Sequence, residues 1–204
     1  MQTEKELRIA EEFEKTFFKI EENYEKTLFF KTAGERSVPT DELIKELLKT
    51  WKDFVEYVIN DIDGVVSFNG NSPLWNINNW VWKINELLGK EKMYEELITF
   101  SEDVLKLEWK NPDGTIDTFM YENARRTIAD AYAVLDDYEK AIELYESYLE
   151  KDELWGLGWL GYCWVLEEYD EGICRQVVKY LKERISKEEF RDKDKLLEWL
   201  NRVD

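Results

Sequence analysis

The chain has 204 residues, of which 44% are hydrophobic and 15% aromatic, and this composition excludes an intrinsically disordered protein. Its 28 Lys and Arg stand against 46 Asp and Glu, and the resulting net charge of −18 disfavours binding to nucleic acid and to anionic membrane surfaces. Histidine is absent, which excludes Ser-His-Asp and Cys-His catalysis as well as His-ligated zinc. Few Pro and Gly, with many Glu, Lys and Leu, favour helix throughout.

Hydrophobic periodicity in the first half of the chain predicts two pairs of helices. Residues 1–60 are predicted to form an N-terminal helical hairpin, with helices over about 3–31 and 40–60 joined near Ser37-Val38-Pro39. A second pair, over 73–109, is predicted after a Gly/Asn-rich loop at 61–72. Ser72-Pro73 is a cap and first-turn proline signal, so we expect the third helix to begin there.

The loop between these pairs is rich in oxygen-bearing side chains. It could therefore hold a calcium ion, and the alternative is a simple turn. It contains Asp61, Asp63, Asn69 and Asn71 around Gly64. The order of these residues departs from the calcium-binding loop pattern, because the glycine follows the second Asp at once and no closing Glu is in place. A turn is therefore favoured over an ion site.

The second half of the chain contains one spaced pattern twice, over 117–185. The clearer copy consists of Leu157, Leu160, Gly161, Trp164, Ile173, Val177 and Tyr180. The other copy consists of Ile128, Ala129, Tyr132, Ala141, Tyr145 and Tyr148. The spacing predicts helices over about 117–135, 137–151, 153–167 and 169–184. A capping box at Ser186–Glu189 then predicts a terminal capping helix over 186–204.

This pattern resembles the tetratricopeptide repeat, W-x2-L-G-x2-Y followed by A-x3-F. By this resemblance 117–185 contain two repeats, and 73–109 contain a degenerate one, in which Met93–Ile98 parallels Asp137–Ile142. Arg125 and Leu157 stand where the family usually has Trp, and Glu153 stands in the place of the closing Pro. The aromatic run 154–165 is also similar to bacterial repeat proteins that sometimes carry a zinc-binding SEC-C tail, whose Cys and His ligands are absent from this C-terminus. The resemblance implies an all-α fold, an α-solenoid of antiparallel helix pairs with about nine helices in one continuous array.

Repeat proteins of this kind mostly bind other proteins on the concave face, which the first helix of each unit lines. The side chains expected there are Asn79, Trp82, Glu86, Asn123, Arg126, Asp130, Trp155 and Tyr162. Tryptophan and tyrosine beside carboxylates favour an aromatic and basic peptide, because carboxylates pair with Lys or Arg. The alternative use of each Trp is to join helix to helix in the core.

A strong local charge bias gives a second candidate surface. Between 136 and 171 there are twelve acidic residues and only two lysines, Lys140 and Lys151. Such a run is typical of a solvated outer face, and the alternative is a docking patch for a basic protein.

We therefore predict a non-enzymatic protein-interaction module that binds a protein or peptide partner, with no cofactor, no metal and no catalytic residue. A peptide-sensing regulatory protein remains an alternative, as does a hydrolase that uses paired carboxylates such as Asp136-Asp137 or Glu167-Glu168. Self-association through the Phe-rich first helix is a further possibility. The two cysteines, Cys163 and Cys174, sit among apolar residues, and no apolar leader or membrane span is visible, so a cytoplasmic location is expected.

Overall fold

The computed structural model describes residues 2–29, 40–68 and 70–203. The predicted end of the first helix, the connector at 37–39 and the candidate ligand Asn69 lie outside the described residues.

The described part of the chain is mainly helical, which confirms the all-α prediction. Its nine helices are α1 (Gln2–Phe29), α2 (Thr40–Asp61), α3 (Ile77–Lys90), α4 (Tyr94–Lys106), α5 (Thr118–Val134), α6 (Tyr138–Lys151), α7 (Gly156–Tyr169), α8 (Glu171–Arg184) and α9 (Lys193–Leu200). Two short strands, β1 (Val65–Val66) and β2 (Glu108–Trp109), accompany them. None of the described helices combines the length and the apolar character that a membrane span requires.

The chain divides into two compact units. Unit 1 comprises Met1–Met93 and Asp103–Thr118, and unit 2 comprises Tyr94–Glu102 and Phe119–Asp204. The finer division into a hairpin, repeats and a cap stays a prediction.

Unit 1 has a core formed by the apolar faces of α1, α2 and α3. Helix α1 packs against α2, and Phe13 of α1 stacks on Trp80 of α3 with ring centroids 4.9 Å apart. The buried carboxylate of Glu6 accepts hydrogen bonds from Tyr57 Oη at 2.7 Å and Ser72 Oγ at 3.1 Å. Burial of this acid is therefore compensated by two donors, as a buried charge requires.

The two strands were not predicted, and they shorten the predicted fourth helix. Asp63 and Gly64 adopt left-handed backbone conformations, and this turn directs Val65–Val66 into parallel pairing with Glu108–Trp109. Trp109 is buried, and its indole N–H donates to the carbonyl of Val104 at 2.8 Å. Helix α4 consequently ends at Lys106, because the backbone beyond it pairs with β1.

The predicted beginning of the third helix at Ser72-Pro73 is wrong. Ser72 Oγ instead accepts a hydrogen bond from the amide of Leu74 at 3.1 Å, which makes a local turn. Helix α3 begins four residues after Pro73, at Ile77.

Unit 2 is built around close contacts between α6 and α7. Gly161 of α7 lies directly on Tyr145 of α6, and a methyl group at position 161 would come within 2.1 Å of Tyr145 Oη. Tyr145 is fully buried, together with Ala129 and Ala141. Helix α7 also packs against α8 and α9. The small residues of the repeated pattern therefore admit a large aromatic ring between helices.

The predicted capping box at Ser186–Glu189 does not start a helix. Glu188 instead accepts a hydrogen bond from Arg184 Nε at 2.7 Å, and the segment turns back toward α7. Gly156 N donates to Arg191 O, and Arg191 N donates to Leu154 O at 2.9 Å. Helix α9 begins only at Lys193, after Asp192 in a left-handed conformation.

Substituting Gly161 with alanine is expected to destabilise the protein by about 1–3 kcal/mol, because the added methyl group would overlap the fully buried Tyr145 ring. The matched control is Gly89→Ala in α3, where a methyl group would meet no atom within 4 Å. The control is expected to raise the free energy of unfolding by about 0.5–1 kcal/mol through helix propensity. Urea unfolding followed by circular dichroism measures both, and equal effects would contradict the close contact.

Candidate functional site

The eight residues predicted for a groove fall into both units. Asn79, Trp82 and Glu86 lie exposed on α3 of unit 1. The other five belong to unit 2, where Asn123, Arg126 and Asp130 lie along α5 and Tyr162 lies on α7.

Trp155, the fifth residue in unit 2, is a core residue and not a groove residue. It precedes α7, and only 1% of it is exposed. Its ring lies against Gly158, where a methyl group would come within 2.2 Å of the indole. Trp155 therefore joins helices within the core, which is the alternative considered from the sequence. A partner has no access to its ring.

Asp130 is engaged inside unit 2. Its Oδ1 accepts a hydrogen bond from Tyr145 Oη at 2.5 Å, and its Oδ2 lies 3.6 Å from Arg126 Nε. Burial raises the pKa of Asp130, although the hydrogen bond from Tyr145 and the charge of Arg126 act in the opposite direction. Arg126 and Asp130 thus pair with each other along α5, and this pair supports the buried phenol.

The raised pKa of Asp130 predicts a pH-dependent contribution to stability. Because the folded state keeps the proton to higher pH than the unfolded chain, stability falls as the pH rises from the ordinary pKa of 3.8 through the higher folded value. Asp130→Asn keeps an acceptor for Tyr145 and removes this titration. We expect thermal melts between about pH 3.5 and 6.5 to show a smaller loss for the variant than for the parent. Parallel curves would contradict the prediction.

A cavity of about 420 Å³ lies between α6, α7 and α8 in unit 2. This volume falls within the range of small-ligand pockets. Its polar wall comes from one face of α6 and the residues after it, where acidic residues recur at helical spacing. The carboxylates that line it are Glu146, Glu150 and Glu153.

The apolar walls of the cavity come from α7 and α8. The aromatic residues are Trp159, Tyr162 and Tyr180, and the aliphatic residues of α8 are Ile173 and Val177. Leu149 of α6 adds one further apolar side chain. Trp159 meets Tyr162 edge to face at 6.1 Å and Tyr180 at 5.8 Å between ring centroids. These rings form a continuous aromatic surface that faces the carboxylates of α6.

Two of the three carboxylates have defined partners. Glu146 Oε1 accepts a hydrogen bond from Tyr162 Oη at 2.8 Å. Burial, and to a lesser extent this hydrogen bond, raise the pKa of Tyr162, so the phenol remains protonated and acts as a donor. Glu153 Oε2 pairs with Arg184 Nη2 at 3.0 Å. Glu150 is exposed and has no hydrogen-bond or ion-pair partner within the described residues. None of the described residues that line the cavity is Lys or Arg.

Sequence reasoning identified Tyr162 of this cavity and missed the rest as a site. Ile173, Val177 and Tyr180 were assigned to a repeat core, yet Ile173 is 41% and Tyr180 44% exposed. One feature of the sequence could have indicated this cavity. Glu146 and Glu150, within the acidic run, lie one helical turn apart and therefore share a face of α6.

One of the acids considered for catalysis, Asp137, has a structural role. Asp137 caps α6, since its Oδ1 accepts a hydrogen bond from the amide of Lys140 at 3.2 Å. Among the residues that the structure describes, no group of three or more metal-ligating side chains is placed to hold an ion. In the candidate ion loop, Asp61 pairs with Lys5 at 2.6 Å.

No family model, curated protein or solved structure matches this chain. The resemblance to tetratricopeptide repeats therefore stays a prediction from the residues.

Proposed function

We propose that this protein is a non-enzymatic interaction module, which binds a basic segment of a partner protein in the cavity between α6, α7 and α8. The supporting observation is the lining of that cavity, where Glu146, Glu150 and Trp159 lie together and no lining residue is Lys or Arg. The nearby Arg184 is already paired with Glu153. Carboxylates supply charge complementarity, and aromatic rings supply contact area and cation–π attraction.

The proposed binding site differs from the groove predicted from the sequence. Tyr162 keeps the role expected from the sequence, and Trp159 takes the place of the buried Trp155 as the aromatic anchor. The helix-pair solenoid is part of this proposal, because the repeated pattern and the Gly161–Tyr145 contact are what such an array needs. The cytoplasmic location stays a prediction.

The acidic run of the sequence acquires a more specific use in this proposal. Glu146, Glu150 and Glu153 belong to it, and all three line the cavity, the first two from α6 and Glu153 from the segment after it. The other acids of the run serve as a solvated face that keeps the net charge negative and steers a basic partner toward the cavity.

Selection of a random decapeptide display library on the immobilised full chain tests the proposal, and it requires no candidate partner. We expect the selected peptides to be enriched in Arg or Lys next to an apolar residue. A parallel selection on the Glu146→Gln, Glu150→Gln double variant should lose that enrichment.

The variant must first be shown to retain the parent's circular dichroism spectrum and melting temperature. Peptides without an excess of basic residues, or an excess that persists in the double variant, would overturn the proposed function.

A further inference from the structure

We infer that the cavity is specific for an arginine side chain of the partner and that it discriminates against lysine at the same position. The inference rests on the proposed function, because it names the side chain that the proposed site holds.

The carboxylates of α6 are arranged to receive a planar group with several donors. Tyr162 Oη donates to Glu146 Oε1 at 2.8 Å, which fixes that carboxylate and leaves its other oxygen for a ligand. Glu150 lies one turn further along the same helix, and residues four apart on a helix are neighbours. A guanidinium has five N–H donors in a rigid fork, so it is suited to bridge two such carboxylates.

The aromatic surface opposite these carboxylates suits the flat face of a guanidinium. Trp159 donates its indole N–H to the carbonyl of Glu153 at 2.7 Å, which orients the ring. Contacts with Tyr162 and Tyr180, at 6.1 and 5.8 Å between centroids, restrict the ring further. Guanidinium stacks on aromatic rings while its edge makes hydrogen bonds, whereas an ammonium group has no flat face to stack.

The chain itself places a guanidinium in such surroundings at the rim of the same cavity. Arg184 lies 5.0 Å from the ring centroid of Tyr180 and 5.6 Å from that of Phe190. The same guanidinium bridges two carboxylates, with Nη2 3.0 Å from Glu153 and Nε 2.7 Å from Glu188.

Arg184 thus combines stacking on aromatic rings with a bridge between carboxylates. Glu146 and Glu150, facing Trp159, repeat this combination of groups without a cation from the chain. An arginine from the partner would supply it, and the 420 Å³ of the cavity leaves room for a neighbouring apolar side chain.

The test uses the best peptide from the display selection, synthesised with arginine, lysine or citrulline at its basic position and with a fluorescent label. Anisotropy titrations with the full chain give the three dissociation constants. We expect lysine to bind about tenfold more weakly than arginine, because the bridging hydrogen bonds to charged groups are lost. Citrulline, which keeps the shape and lacks the charge, should bind more weakly still.

Two protein variants locate the discrimination. In Glu150→Gln the preference for arginine over lysine should shrink, whereas Glu168→Gln, an exposed acid on α7 outside the cavity, should leave it unchanged. Equal affinities for arginine and lysine would overturn this inference and leave the proposed function standing. Citrulline binding as well as arginine would overturn both.

Discussion

Replacing Trp155 with alanine is expected to destabilise unit 2 by about 3–5 kcal/mol, the usual cost of truncating a buried tryptophan. The ring is 1% exposed and belongs to the same core cluster as Leu149, Cys163 and Leu196. Removing it leaves a cavity beside Gly158 of α7, which packed neighbours fill only in part. Urea unfolding monitored by circular dichroism measures the effect.

Two matched variants separate burial from the loss of a tryptophan as such. Trp164→Ala removes a ring of α7 that is 50% exposed, and it should cost about 1 kcal/mol. Trp155→Phe keeps most of the ring and removes an indole N–H that has no hydrogen-bond partner, so it should be tolerated far better than alanine. A Trp155→Ala variant that retains the stability of the parent would contradict the core assignment.

Reversing the charge of Glu150 is expected to weaken binding of the selected basic peptides by about a hundredfold. The change removes a charge-assisted hydrogen bond and places like charges next to each other. Because Glu150 is exposed and has no partner within the described residues, Glu150→Lys should change stability by about 0.5 kcal/mol or less. The loss of affinity would therefore be assigned to the site and not to unfolding.

Glu168→Lys is the control, since it changes the net charge equally at an exposed position of α7 that does not line the cavity. Its effect on affinity should stay within about threefold, because salt screens exposed charges that do not contact the ligand. Anisotropy titrations at one fixed ionic strength compare the two variants. A similar loss of affinity in both would indicate general electrostatic attraction and contradict a localised site.

The helical character of the protein could be predicted from its sequence because long amphipathic patterns leave little choice of structure. The boundaries that were missed depend on partners distant in sequence. Residues Val65–Val66 form a strand only because Glu108–Trp109 lies beside them. Likewise, the segment after α8 turns back because Arg191 exchanges backbone hydrogen bonds with Leu154 and Gly156, more than thirty residues earlier in the chain.

The candidate site was predicted only in part, for a similar reason. Periodicity identifies which residues share a helix face, but it does not say which faces meet. Trp155 and Trp159 stand four residues apart, yet one is buried in the core and the other lines the cavity. The cavity itself results from the convergence of three helix faces, so it becomes visible only when their packing is known.

An NMR titration tests most directly whether the cavity between α6, α7 and α8 binds the peptide. The tryptophan indoles of the protein are labelled with ¹⁵N, and the arginine form of the selected peptide is added. We expect the indole resonance of Trp159 to shift in proportion to the occupancy of the cavity. Trp164, which is half-exposed on the same helix and does not line the cavity, should keep its position. Saturable binding that moves other indoles and leaves the Trp159 resonance unchanged would contradict the assignment of this cavity as the binding site.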